Sequence, residues 1–341
     1  LTNKYLEAGQ ELGFPYNRDY NGNHMEGVSV YQTTTSNGLR VSTASAYIAK
    51  KKRSKNLQVI SNAHVTKLIF EGKRVIGVYF SQGNKETKVL TRGEVILSAG
   101  ALNSPQLLYL SGLGPANELK SHGISILQDM PHVGRHLQDH IGVDFTLLVN
   151  RPSLNQKLRP VLGKLMVGLE YLFLRSGPLA MSLNQAGGFV KSDASLASPD
   201  LQLYFSPLSY STAPQGKRPL MSPDPYPAVR LGFNPTKPTS EGWISLESSD
   251  PRKSPKFVGN YLSTEKDKKV MISGMHLMRK FLQTKAMKNI VDEEISPGSD
   301  FKDDESFMDF ARDEGGTVFH QCGTCRMGAD VSSSVVDESL N

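Results

Sequence analysis

Apolar positions fall into two regimes along this chain. Between residues 57 and 98 they come in short runs, 57–60, 65–70, 74–80, 87–90 and 94–97, broken by Glu71-Gly72-Lys73 and Gln82-Gly83-Asn84. Alternation bounded by turn residues predicts β-strands. From 141 to about 296 the runs 143–149, 201–205, 228–233 and 243–247 are separated by proline-rich loops, which predicts an antiparallel sheet with helices on one side. Two segments in this region carry a helical period instead. Leu162, Leu165, Met166, Leu169, Leu172 and Phe173 form one stripe; Met271, Met275, Met278, Phe281 and Leu282 form another, after a Thr264 and Asp267 start of capping-box type. Both stripes are expected to face a core. Residues 211–225 are expected to form a mobile loop.

One stretch stands apart. The apolar run 95–99 leads into Gly100-Ala-Leu-Asn-Ser-Pro-Gln-Leu-Leu-Tyr-Leu-Ser-Gly-Leu-Gly114, which reads as a buried strand, a glycine turn and a short helix. Ser104 suits the N-cap, Pro105 the first helical position and Gly112 the left-handed residue past the end. A glycine turn feeding a helix N-terminus is where α/β folds hold phosphorylated cofactors, because unpaired N–H groups and the helix dipole face the anion. The same unit also occurs in α/β folds with no ligand.

These residues resemble the second signature of the glucose–methanol–choline (GMC) family of FAD-dependent alcohol oxidoreductases. His320-Gln-Cys-Gly-Thr-Cys-Arg-Met-Gly328 resembles the segment that carries the family's catalytic histidine. Gly38-Leu-Arg-Val-Ser42, Asn56-Leu-Gln-Val59, Val133-Gly-Arg-His-Leu-Gln-Asp-His140 and Asn260-Tyr-Leu262 fall in the family's order. Ala186-Gly-Gly-Phe189 and Glu294-Ile-Ser-Pro-Gly298 look most like its choline-dehydrogenase branch. The resemblance implies FAD as cofactor, with Gly100, Ala101, Asn103 and Ser104 beside it and Val65 against its adenine end.

Two positions depart from the family pattern. His136 stands where asparagine is usual. Gln185 stands where choline-acting relatives tend to carry an acid, and a quaternary ammonium needs a carboxylate or an aromatic cage, so Gln185 points to an uncharged alcohol.

Flavin-linked oxidation of an alcohol needs the carbinol hydrogen to leave as hydride and the hydroxyl proton to pass to a base. Imidazole suits the second task. Position within His-x-x-Gly-Thr-x-x-Met-Gly implies that His320 is this base. The resemblance also implies a facing histidine or asparagine in a segment beyond Asn341.

Composition changes this picture little. The net charge of +6 invites a nucleic-acid partner, yet the cations cluster only at Lys50-Lys-Lys-Arg53 with Lys55 and are elsewhere mixed with acids. That is a solvated loop rather than a phosphate-tracking surface, and nucleic acid is excluded as the expected partner. An anionic membrane surface stays open. The most apolar helical segment, 161–174, is too short to span a bilayer and carries Lys164 and Glu170.

Only Cys322 and Cys325 occur, spaced as in a redox pair or half of a zinc site, with no second cysteine pair to complete the metal set. The family reading makes them small packing residues, and a dithiol role is the lesser alternative. His132, His136 and His140 with Asp139 have a metal-like spacing, but Pro131 and Gly134 interrupt the helix that would align them, so no metal is expected.

The expected fold is α/β with an α+β substrate domain: a partial, Rossmann-like FAD-binding domain at 1–140 with a β-rich insertion at 57–98, an antiparallel-sheet substrate domain at 141–313, and a return to the FAD domain at 314–341. No G-x-G-x-x-G occurs, the first residue is Leu1 and the end at 335–341 reads as a broken strand, so a fragment of a longer protein is expected. The expected function is oxidation of a primary alcohol to an aldehyde, the electron acceptor being oxygen, a quinone or a protein, in the cytoplasm. A family relative that keeps the fold as a catalytically inactive binding protein is the competing class.

Overall fold

Strand Ala228–Pro235 is buried at nearly every position, the pattern of a strand covered on both faces. It pairs with Leu201–Ser206 on one side and Ile141–Val149 on the other. The sheet continues through Ala186–Val190 to Gly27–Val30 at one end and to Val291–Ser296 at the other, each pairing antiparallel. The computed structural model behind this description covers residues 1–49, 54–211, 222–330 and 332–341. The basic cluster at 50–53 and most of the loop expected at 211–225 lie outside the described residues.

This sheet is the centre of one of two compact units, made of residues 1–54, 141–237 and 266–316. Helix Glu265–Gln283 buries Met271, Met275, Met278 and Phe281, as its stripe predicts. Tyr5, from helix Thr2–Glu11, stacks on Phe205 of the sheet at 5.2 Å and on Phe281 of that helix at 5.4 Å, so three elements share one aromatic contact.

The other stripe behaves in the opposite way. In helix Val161–Leu174 only Val167 is buried, while Leu162, Leu165, Met166, Leu169, Leu172 and Phe173 are 40–75% exposed. Periodicity specifies an apolar face but not the side on which a core lies, and here the inward side is the one with Val167 and Gly163.

The second unit comprises residues 55–140, 238–265 and 317–341. Strands His64–Glu71, Arg74–Gln82 and Lys85–Leu90 form an antiparallel meander with turns where Gly72 and Gly83 were expected to place them. Helix Gly100–Leu110 supplies Tyr109 to a core with Leu119, Val133, Leu246 and Val335. The Tyr109 hydroxyl donates to the carbonyls of Val133 and Ile244 at 2.6 and 3.1 Å, which satisfies the one polar atom that its ring buries.

Four expectations need correction. The runs 57–60 and 94–97 are not strands: a strand needs a neighbour for its backbone groups, and among the described residues neither run has one, leaving Val59 and Ile96 exposed. The helix begins at Gly100 rather than after Ser104, with Pro105 inside it. Strand Trp243–Ser245 pairs with Lys256–Val258 in the second unit and does not join the larger sheet. Residues 1–54 belong with the larger sheet, because Gly27–Val30 is one of its strands, a long-range pairing that motif order cannot reveal.

Candidate active site

Asp139 is the buried centre of the second unit's site. Its Oδ1 accepts the backbone N–H of His140 at 2.8 Å and that of His320 at 2.9 Å. Its Oδ2 accepts the Tyr261 hydroxyl at 2.6 Å, the Gln321 amide at 3.0 Å and the Thr317 hydroxyl. A buried carboxylate is tolerated when donors surround it, and these five come from three separated segments. Burial, with the bond to Asp139 adding to it, pushes the Tyr261 phenol up to about 12, so Tyr261 remains a donor at neutral pH.

The two segments that carry the histidines are laced together by backbone. Gln138 and Cys322 exchange N–H to carbonyl bonds at 3.0 and 2.9 Å, and Gly134 donates to the Thr324 carbonyl at 2.8 Å. Gly323 adopts φ +88, and a Cβ there would lie 2.1 Å from the His136 carbonyl oxygen, so the close approach admits only glycine. The result brings the rings of His320 and His140 together, Nδ1 to Nδ1 at 3.2 Å and edge to face.

This contact has a tautomeric consequence. If His320 donates its Nδ1–H to His140, its Nε2 carries a lone pair and is the atom able to take a proton. His320 is exposed. His140 as the partner of His320 was not singled out in the sequence, where it appeared at the end of the motif at 133–140 and in a metal-like spacing. The signal was its position beside Asp139 in Leu-Gln-Asp-His.

The other two histidines go elsewhere. His136 Nδ1 lies 2.7 Å from Glu241 and its Nε2 lies 2.9 Å from His132. His136 adopts φ 57°, in the left-handed region that histidine and asparagine tolerate more readily than most side chains.

The predicted cofactor residues sit on helix Gly100–Leu110 and the meander. Gly100, Leu102 and Asn103 are exposed in the helix's first turn, while Ser104 is buried and its Oγ accepts the Ala99 N–H at 3.1 Å. Val65 is exposed on strand His64–Glu71, at one edge of the meander. Ala101 is tied to the histidine segment: its carbonyl accepts the Thr324 hydroxyl at 2.6 Å.

Gln185 belongs to the first unit. Its Oε1 accepts the Thr2 hydroxyl at 3.0 Å. Its neighbour Asn184, with Tyr31 and Gln202, lines a cavity of about 640 Å³ in that unit. Both cysteines are free thiols, and burial pushes the Cys325 thiol up to about 11.

Comparison with known proteins decides the family. A GMC oxidoreductase family model matches residues 1–142 and a second, also described as GMC oxidoreductase, matches 238–341. The chain belongs to the GMC oxidoreductase family. An alcohol dehydrogenase (acceptor) of Pseudomonas putida is 37% identical over all of this chain and 61% of its own length. An oxygen-dependent choline dehydrogenase of Staphylococcus xylosus is 36% identical over 99% of this chain and 59% of its own. Among solved structures, a formate oxidase variant from Aspergillus oryzae RIB40 superposes with a TM-score of 0.87 at 25% identity, over 98% of this chain and 62% of that one. The chain thus spans about three fifths of the length of these GMC relatives.

Proposed function

We propose that the complete protein is an FAD-dependent oxidoreductase that oxidises a primary alcohol to an aldehyde, with His320 taking the hydroxyl proton. The observation that carries this reading is the pairing of His320 with His140 above a carboxylate that holds both backbones. A pair of imidazoles fixed in this way orients one Nε2 lone pair without requiring a third group.

The first turn of helix Gly100–Leu110 fits a phosphorylated cofactor. Gly100 has φ +84 with nothing within 4 Å of an added Cβ, and its neighbours Leu102 and Asn103 are exposed, so backbone N–H groups are open to an anion. Gly100, Ala101 and Asn103 would hold FAD from this side, with Val65 nearer its adenine end, while Ser104 fastens the turn. FAD, when bound, supplies the hydride acceptor. The protein's own part is to bind the alcohol, take its proton at His320 Nε2 and keep the ring from rotating through the bond to His140.

The exposed runs 57–60 and 94–97 fit strands whose neighbours belong to chain outside these residues. These 341 residues alone are therefore expected to hold no flavin, whereas the complete protein retains it after desalting. Anaerobic addition of a primary alcohol to the complete protein should bleach the flavin absorbance; a bound flavin that no alcohol reduces contradicts the proposal.

A further inference from the structure

His136 departs from the asparagine expected at its place in the motif, and its imidazole joins groups from three separate segments. A carboxylate only accepts, so at 2.7 Å from Glu241 Oε2 the His136 Nδ1 carries the hydrogen and donates it. With the ring neutral, Nε2 accepts, and His132 Nδ1 donates to it across 2.9 Å. The two rings stack at 5.2 Å with 16° between their planes.

Arg326 restricts this arrangement further. Its Nη1 lies 3.2 Å from the same His136 nitrogen and 3.8 Å from Glu241 Oε1. A guanidinium has only donors, so it cannot bond an Nδ1–H and faces the carboxylate instead. Glu241 is thus shared, one oxygen for His136 and the other toward Arg326. The Glu241 and Arg326 side chains are each 41% exposed, so their attraction is weak and the cluster contributes direction more than strength.

The segment held in this way leads to the histidine pair. His136 has a left-handed backbone, and its carbonyl is packed against Gly323. Leu137 exchanges backbone bonds with Gly242, the neighbour of Glu241, at 3.1 and 2.8 Å. Gln138 exchanges them with Cys322, and Asp139 and His140 follow directly. Side chain and carbonyl of one residue therefore tie together 132–140, 241–242 and 322–326, the segments whose spacing sets His140 against His320.

We propose that His136 is a positioning residue for the reaction: by donating to Glu241 it holds His140 on His320, and so keeps the His320 ring from turning. This role rests on the reading of His320 as the base. Asparagine keeps the essential part of it, because its amide nitrogen falls near the position of imidazole Nδ1 and leaves only the bond to His132 unmade.

The test uses the complete, flavin-loaded protein and four variants: His136→Ala, His136→Asn, Glu241→Ala, and His136→Ala combined with Glu241→Ala. Anaerobic flavin reduction is followed at varied alcohol concentration, and crystal structures of parent and variants give the His140 to His320 separation without any substrate. His136→Ala is expected to slow reduction at saturating alcohol roughly tenfold with KM within about twofold, because the lost interaction acts on the base and not on alcohol binding. The Nδ1 to Nδ1 contact, 3.2 Å in the parent, should open beyond hydrogen-bond distance. Glu241→Ala should match it, the double variant should be no slower than either single one, and His136→Asn should recover most of both readouts. Parent rate and parent separation in His136→Ala, or losses that multiply in the double variant, overturn the proposal. Should His136→Ala not hold flavin, Glu241→Ala decides on the same two readouts, its side chain being exposed. A histidine pair that stays closed in these variants contradicts the positioning role even where no alcohol reduces the flavin, and that second outcome alone contradicts the reading of His320.

Discussion

The Thr324 hydroxyl donates to the Ala101 carbonyl at 2.6 Å, and Pro105 explains why it is needed. Pro105 lies inside helix Gly100–Leu110 and has no N–H, so the carbonyl four residues earlier, that of Ala101, loses its helical donor. Thr324, 2% exposed, replaces it from the segment that carries His320. The two motifs that identify the family are thus joined by one hydrogen bond. Thr324→Val removes the donor at nearly constant volume and should cost about 1–3 kcal/mol, the range for a buried acceptor left unpaired. Thr324→Ser should recover most of it. Thermal unfolding of the three proteins reads the difference.

Asp139 holds the backbones of both His140 and His320. Asp139→Asn keeps the shape but turns one acceptor oxygen into a donor group, so either the Oδ1 bonds from the His140 and His320 backbones or the Oδ2 bonds from Tyr261, Thr317 and Gln321 are lost. In the complete protein, flavin reduction by alcohol should slow roughly tenfold or more with a smaller change in KM, the signature of an interaction that matters in the transition state. Single-turnover kinetics separates the two effects.

Local motifs were legible in the sequence; contacts between distant segments were not. Gly100, Ala101 and His320 are named by local motifs, and the structure joins their segments through Thr324 and Ala101. What was missed depends on distance along the chain. Asp139 collects donors from Tyr261, Thr317 and Gln321, more than a hundred residues away, and no local pattern announces such a centre. Helix Val161–Leu174 failed for a different reason: its period is correct, but a hydrophobic stripe does not say whether protein or something else will cover it.

The thiols give a pH-dependent test. Burial raises Cys325 from an ordinary 9.0 to about 11, which at pH 8 lowers its thiolate fraction roughly a hundredfold relative to an unperturbed thiol. Cys322 is exposed. Iodoacetamide at pH 8 followed by peptide mass mapping should label Cys322 well before Cys325, and the gap should narrow as pH rises toward 11. Equal labelling at pH 8 would instead favour a dithiol role.

Gln185 separates charged from uncharged substrates only if its side chain meets them. Its Oε1 takes the Thr2 hydroxyl, an interaction that a carboxylate oxygen can also make. Gln185→Glu in the complete protein is therefore expected to leave the ratio of kcat/KM for choline over an uncharged alcohol of similar size within roughly twofold. A shift toward choline of tenfold or more would place this residue at the substrate.

His320 remains the centre of the account. In the complete protein, His320→Ala should retain FAD, because the proposed cofactor turn at Gly100 is built by other residues, and should slow anaerobic flavin reduction by a primary alcohol roughly a hundredfold or more, the scale of losing a general base. Stopped-flow absorbance of the flavin measures this rate directly. A variant that keeps its flavin and reduces it at the parent rate would contradict the assignment of His320 as the proton acceptor.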